Sequence, residues 1–237
     1  MIQIKSLASG SSGNCYKISD GRTSLLIEAG IPIKKIKQGL NYSLSEIEGC
    51  LISHEHGDHA KAAYDIAKQG IDVYMSRGTA EMLDLSGHRI HHIKPKYRYD
   101  IGSWIVKPFE AQHDAAEPLG FLLWSQETKE KLVYLTDTFY TRYKFHQLNY
   151  IMAECNYAKD ILDENIAKGL VSPVQKKRLL QSHFSLENVK EFLKANDLSQ
   201  VREIWLLHLS DRNSDAERFK REIMELTGKP VKIAGED

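Results

Sequence analysis

Three imidazoles and Asp58 stand within six residues in His54-Glu55-His56-Gly57-Asp58-His59. They follow an apolar run, Cys50-Leu51-Ile52, that reads as a buried strand. On an extended backbone alternate side chains share a face, so His54 and His56 can meet one metal ion. Gly57 permits a sharp bend, after which Asp58 and His59 can turn towards a second ion. Imidazole nitrogen and carboxylate oxygen suit zinc, with manganese or iron as alternatives. A surface histidine cluster is the competing reading, but four such donors in this order point to a metal site.

Metal sites are commonly assembled at strand ends, because rigid strands place loop residues accurately. Three more donors sit at such ends. His113 lies in the loop between strands expected over 104–106 and 121–124, Asp137 ends one over 131–136, and His208 ends one over 204–207. Upstream, alternation over 2–7, 15–18 and 24–28 gives three strands, the last two joined at Asp20-Gly21. The Gly-Ser turn over 8–14 could aim backbone amides at an anion, but as a lone turn it reads first as just a turn. A short basic helix follows Pro32, and a helix is expected over 60–69, stopped by Gly70. A strand over 71–75 and a helix over 78–83 come next. Residues 88–100, with His88, His91 and His92, read as surface. Strand 151–153 leads to Glu154, then helices follow over 159–168 and 173–181 and one capped by Ser185. A last helix starts after Asp211 and stops at Gly228, and a strand over 231–233 closes the chain. This order suits two sheets packed face to face with helices outside, as a single domain over 1–237.

The chain has 237 residues, 42% hydrophobic and 27% charged, with a formal net charge of zero. Such a balance gives no global field for nucleic acid, so any grip must be local. Basic patches at Lys34/Lys35/Lys37, Lys94/Lys96/Arg98 and Lys176/Lys177/Arg178 are options, and each also reads as a solvated face. Cys15, Cys50 and Cys155 are scattered, without CxxC spacing, and read as reduced cytosolic thiols. Neither a signal peptide nor a membrane span is expected, which places the protein in the cytoplasm.

The spaced donors resemble the metallo-β-lactamase superfamily, whose HxHxDH signature is followed at long intervals by His, Asp and His. The resemblance covers nearly the whole chain and implies an αββα sandwich. It also implies two divalent metal ions: His54, His56 and His113 on the first, Asp58, His59 and His208 on the second, and Asp137 bridging. His56 stands where the flavodiiron branch carries Glu. Residues 7–14 (LASGSSGN), 182–185 (SHFS) and 208–213 (HLSDRN) resemble the YycJ, or WalJ, branch, thought to act on DNA as an exonuclease. Glu154, His183 and His208 match late positions of tRNase Z, and the long insertion of RNase J-type nucleases is absent. Glu28 stands where the superfamily usually has Asp.

The expected function is therefore phosphodiester hydrolysis of DNA by a water activated between two metals. Asp58 doubles as ligand and catalytic residue, and His183 gives the leaving oxygen its proton, tuned or oriented by Glu154. Ser11, Ser12, Asn14, Arg212 and Asn213 are expected on the substrate. A small-molecule phosphodiesterase or esterase with the same centre is the alternative. A non-catalytic metal scaffold is disfavoured by the complete ligand set, and a β-lactam hydrolase by the lack of an export signal. Oligomeric state is not legible.

Overall fold

Thirteen strands and eight α-helices form among residues 1–235, the part of the chain that this computed structural model describes. One sheet takes β1 (Gln3–Ala8), β2 (Cys15–Ser19), β3 (Ser24–Ile27), β4 (Ile47–Leu51), β5 (Asp72–Met75) and β6 (Ile90–His92) in that order. The first three strands are an antiparallel meander, whereas β3 to β6 run parallel. Parallel pairing needs crossovers, and α1 (Ile33–Gly39), α2 (Gly57–Ala60) with α3 (Ala63–Lys68), and α4 (Arg77–Met82) supply them. Buried Leu26, Cys50, Ile52, Val73 and Met75 pack with Ile36, Ala63 and Ile66 of the helices.

The second sheet has the order β13-β12-β11-β10-β9-β8-β7. Its strands β7 (Tyr99–Ile101), β8 (Trp104–Glu110) and β9 (Leu119–Ser125) pair antiparallel. Strands β10 (Lys131–Leu135), β11 (Tyr150–Glu154), β12 (Glu203–Leu207) and β13 (Val231–Ile233) run parallel. Helices α5 (Lys159–Ala167), α6 (Pro173–Ser182), α7 (Leu186–Lys194) and α8 (Ala216–Thr227) complete the chain. The mixed α/β class with two sheets and helices is as expected.

The described residues divide into two compact units, residues 1–110 with 115–131, and residues 111–114 with 132–235. In the first, Asp20 clamps the β2–β3 turn to the β8–β9 hairpin. Its carboxylate accepts the hydroxyls of Ser103 and Ser125, at 2.6 and 2.7 Å, and the amides of Arg22 and Thr23. Burial opposes the charge there, but these four donors outweigh it and hold the carboxyl below its ordinary pKa. In the second unit, Ser172, Ser185 and Asp215 cap α6, α7 and α8, and Gly228 ends α8 in the left-handed region at φ 64°.

Three local expectations change. The helix expected over 60–69 forms only as α3, with Ala60 closing α2, because the Ala62 amide donates to the Ala29 carbonyl at 2.8 Å instead of continuing the ladder. The final helix starts at Ala216, since residues 211–214 make a turn in which the Ser214 hydroxyl donates to the Ser210 carbonyl. Residues 88–100 contribute two short strands, β6 and β7, although His88 and His92 are exposed and His91 is half-buried against Tyr74. No helix among the described residues is long and apolar enough to cross a membrane.

Candidate metal centre

Parallel strands of one sheet put their carboxyl ends at one edge, and Glu28, His54, Asp137, Glu154 and His208 stand at such ends, whereas His113 follows antiparallel β8. The β3–β4 register pairs Ile27 with Leu51, so Glu28 and Ser53 leave the sheet together. The Glu28 amide donates to the Leu51 carbonyl, and its carboxylate accepts the Ser53 amide at 3.2 Å. The β11–β12 register pairs Glu154 with Leu207, which sets Glu154 beside His208. Three of these residues are non-glycine with positive φ: Glu28 (65°), Asp137 (38°) and His208 (51°). Such conformations cost on the order of 1–3 kcal/mol each and persist where the surroundings hold them.

Within the first unit, His54 Nδ1 lies 2.8 Å from the Ser53 hydroxyl, and its Nε2 lies 3.1 Å from His56 Nδ1. Two nitrogens on one tetrahedral zinc, with bonds of about 2.05 Å, stand about 3.3 Å apart, so this pair fits a shared ion. His59 is fully buried, its Nε2 3.5 Å from Asp58 Oδ2 and its Nδ1 3.5 Å from Glu28 Oε1. Glu28 thus lies on the Nδ1 side of the ring, and Asn14 Nδ2 lies 3.3 Å from Nε2 on the other.

Within the second unit, His113 Nδ1 donates to the Ser182 carbonyl at 2.8 Å, leaving Nε2 3.5 Å from Asp137 Oδ2. Burial pushes the His113 pKa down against the pull of the nearby carboxylates, which favours the neutral ring that a ligand needs. His208 Nδ1 lies 2.8 Å from Asp137 Oδ1. Glu154 is fully buried: Oε1 accepts from His183 Nδ1 at 2.6 Å, and Oε2 accepts the amides of Phe184 and Thr138. Burial works against charge on both partners, yet their mutual attraction raises the His183 pKa and lowers that of Glu154.

Within the second unit, Asp137, Glu154, His183 and His208 offer ligand atoms that lie within 4.8 Å of one another. Donors on one zinc at roughly 2.0–2.2 Å fall inside such a span, and the nitrogen–oxygen set suits a divalent ion. The three cysteines are buried and free, their thiol pKa values raised by burial, and they do not belong to this group.

A scan of family models matches residues 25–209 to the β-lactamase superfamily domain. The chain belongs to that family. Its relatives place it in the WalJ/YycJ branch. It is 28% identical to exodeoxyribonuclease WalJ of Streptococcus pneumoniae, over 88% of this chain and 81% of that one. It is 26% identical to exodeoxyribonuclease YycJ of Bacillus anthracis, over 95% and 89%. The metallo-β-lactamase-fold protein YhfI of Bacillus subtilis superposes with a TM-score of 0.73 at 15% identity, covering 99% of this chain and 97% of that one. This chain has that fold, and with its His/Asp cluster it is a metallohydrolase.

Other sequence-derived site residues fall into two sets. Ser11, Ser12 and Arg212 are exposed. Asn14 and Asn213 are buried and hold loops. The Asn14 side chain bonds both the amide and the carbonyl of Gly10 and donates to the Asp58 carbonyl. Asn213 Oδ1 accepts from Asn165, and its backbone carbonyl accepts the Ala158 amide. The amides of Gly10, Gly13 and Asn14 donate inside the protein, so they do not form the anion cradle that the turn could have made. The bend after His56 also differs from expectation. Gly57 opens α2 with no positive φ, and His56, as its N-cap, makes the turn.

Two supports escaped sequence reasoning. Gly30 lets the backbone pass Asp58, since a Cβ there would lie 1.7 Å from the Asp58 carbonyl oxygen. The Ser182 carbonyl orients His113, and a backbone acceptor leaves no mark in a sequence.

Proposed function

We propose that the chain is a DNA exonuclease dependent on two divalent ions, zinc first among them, acting as one hydrolase domain over 1–237. The observation that carries this reading is the donor group Asp137, Glu154, His183 and His208 in a chain of the β-lactamase superfamily. By type and position, His54, His56 and His113 would hold one ion, Asp58, His59 and His208 the other, and Asp137 both. A pair of such ions, when bound, supplies an activated water and neutralises charge on phosphoryl oxygens.

The rest falls to side chains. His183 is held through Nδ1 by Glu154, so its other nitrogen, Nε2, carries the proton for the leaving oxygen. Its side chain is 16% exposed, enough to meet a substrate, whereas Glu154 is sealed beneath it. Asp58 acts as ligand and catalytic residue, and exposed Ser11, Ser12 and Arg212 touch the substrate, with Asn14 and Asn213 holding the loops behind them. DNA as the substrate is supported by the two exodeoxyribonuclease relatives. Buried, unbridged cysteines support a reducing, cytoplasmic setting.

The test is incubation of zinc- or manganese-loaded protein with end-labelled single- and double-stranded DNA and RNA, beside an Asp58→Ala control. Stepwise loss of terminal nucleotides from DNA, absent in the control, is expected. Turnover of a small diester with every polynucleotide left intact would favour the small-molecule phosphodiesterase instead.

A further inference from the structure

Between Asp137 and Glu154 the chain runs for sixteen residues without one acid, although Asp and Glu together number 32 in 237. Its first nine residues read Thr138-Phe139-Tyr140-Thr141-Arg142-Tyr143-Lys144-Phe145-His146, aromatic and cationic residues interleaved. We infer that residues 139–146 are a grip for single-stranded nucleic acid, with Tyr140 stacking on a base and Arg142 and Lys144 meeting phosphates. This rests on the nuclease reading and adds a substrate surface to it.

The structure pins both ends of the segment and presents its middle. The Thr138 hydroxyl accepts the Gln112 amide at 2.9 Å and donates to the Tyr140 carbonyl at 2.8 Å. The Phe139 amide donates to the Gln112 carbonyl, and its own carbonyl accepts Asn188 Nδ2 at 2.9 Å. At the far end the Phe145 amide donates to Asn196 Oδ1 at 2.7 Å, and its buried ring meets Phe192 edge-on. Tyr140 between these anchors is 58% exposed, and Arg142 and Lys144 are exposed too. The Arg142 guanidinium lies 5.3 Å from the Tyr143 ring centre, which stiffens it.

Position decides the assignment. Tyr140 is three residues from Asp137, so their Cα atoms are at most ~11 Å apart, and Thr138 is bonded to the neighbour of His113. Similar pairs occur elsewhere, Tyr64 with Lys68 and Tyr97 with Lys94, but they stand five residues from His59 and sixteen from His113, against three between Tyr140 and Asp137. Aromatic faces next to cations hold single strands without regard to sequence, which is what an exonuclease working along a strand needs.

The experiment measures KM and kcat of the metal-loaded enzyme on a labelled single-stranded oligonucleotide, with a small chromogenic diester in parallel. Tyr140→Ala should raise the oligonucleotide KM about 5- to 150-fold, and Tyr140→Phe should restore it. Arg142→Ala with Lys144→Ala should flatten the salt dependence of log KM by about 1.4, from roughly 0.7 for each lost contact. Tyr64→Ala should change neither. An active wild type whose oligonucleotide KM ignores Tyr140→Ala overturns the grip and leaves the nuclease reading standing. A wild type that turns over the diester and no oligonucleotide overturns both.

Discussion

Replacing Glu154 by Gln separates proton delivery from metal chemistry. The carboxylate has two working faces: Oε2 accepts the buried amides of Phe184 and Thr138, at 3.0 and 3.3 Å, and Oε1 accepts from His183 at 2.6 Å. Gln can keep its carbonyl on the two amides, so the strand end should survive. What disappears is the charge-assisted hydrogen bond to His183, about 1.5–3 kcal/mol. At 1.36 kcal/mol for each factor of ten, that is about a 10- to 160-fold loss in proton delivery. The loss should appear with a DNA end, whose leaving alkoxide needs a proton. It should be near absent with a p-nitrophenyl diester, whose leaving group departs unprotonated. His183→Ala should lose about 10²- to 10⁴-fold on DNA with the same selectivity. Because Glu154 raises the His183 pKa, its removal should also move the alkaline limb of the pH–rate profile to lower pH. Equal losses on both substrates would refute the proton-donor role.

Other outcomes follow from the same geometry. Glu28→Ala removes the carboxylate behind His59 and should weaken metal affinity about 10- to 100-fold, read by competition with a chromophoric chelator. Gly30→Ala drives a Cβ into the Asp58 carbonyl and should cost both metal content and melting temperature. Asp20→Ala should lower stability in urea by roughly 3 kcal/mol at pH 7, through lost hydrogen bonds to a charged group. Since folding depresses the Asp20 pKa, that contribution is complete above the unfolded value of about 3.9. It fades as pH falls through the folded value, so wild type and variant should converge in acid.

Much of the candidate site was legible because metal donors must be particular residue types and must leave strands at particular ends. The spacing His54-x-His56-x-Asp58-His59 and the strands running into Asp137 and His208 are local signals, readable without tertiary knowledge. Ser185 as a helix cap was equally local. What stayed hidden depends on distant backbone. Gly30 looks like any turn glycine until Asp58 passes beside it, and the helix over 60–69 breaks because of the Ala29 carbonyl. Asn14 reads as a substrate contact from its glycine–serine surroundings, yet its amide is spent on Gly10, Tyr16, Asp58 and His59. Strand β7 was missed because three residues, Tyr99–Ile101, are too few to show alternation.

If Asp137 joins two ions at one centre, metal stoichiometry will show it. Protein loaded with zinc, dialysed and measured by mass spectrometry for metal per chain should carry two ions. Asp137→Ala should lower the affinity of both, whereas His56→Ala should lower that of one. A wild-type chain that retains no zinc, or whose hydrolysis is untouched by exhaustive chelation, would contradict the account.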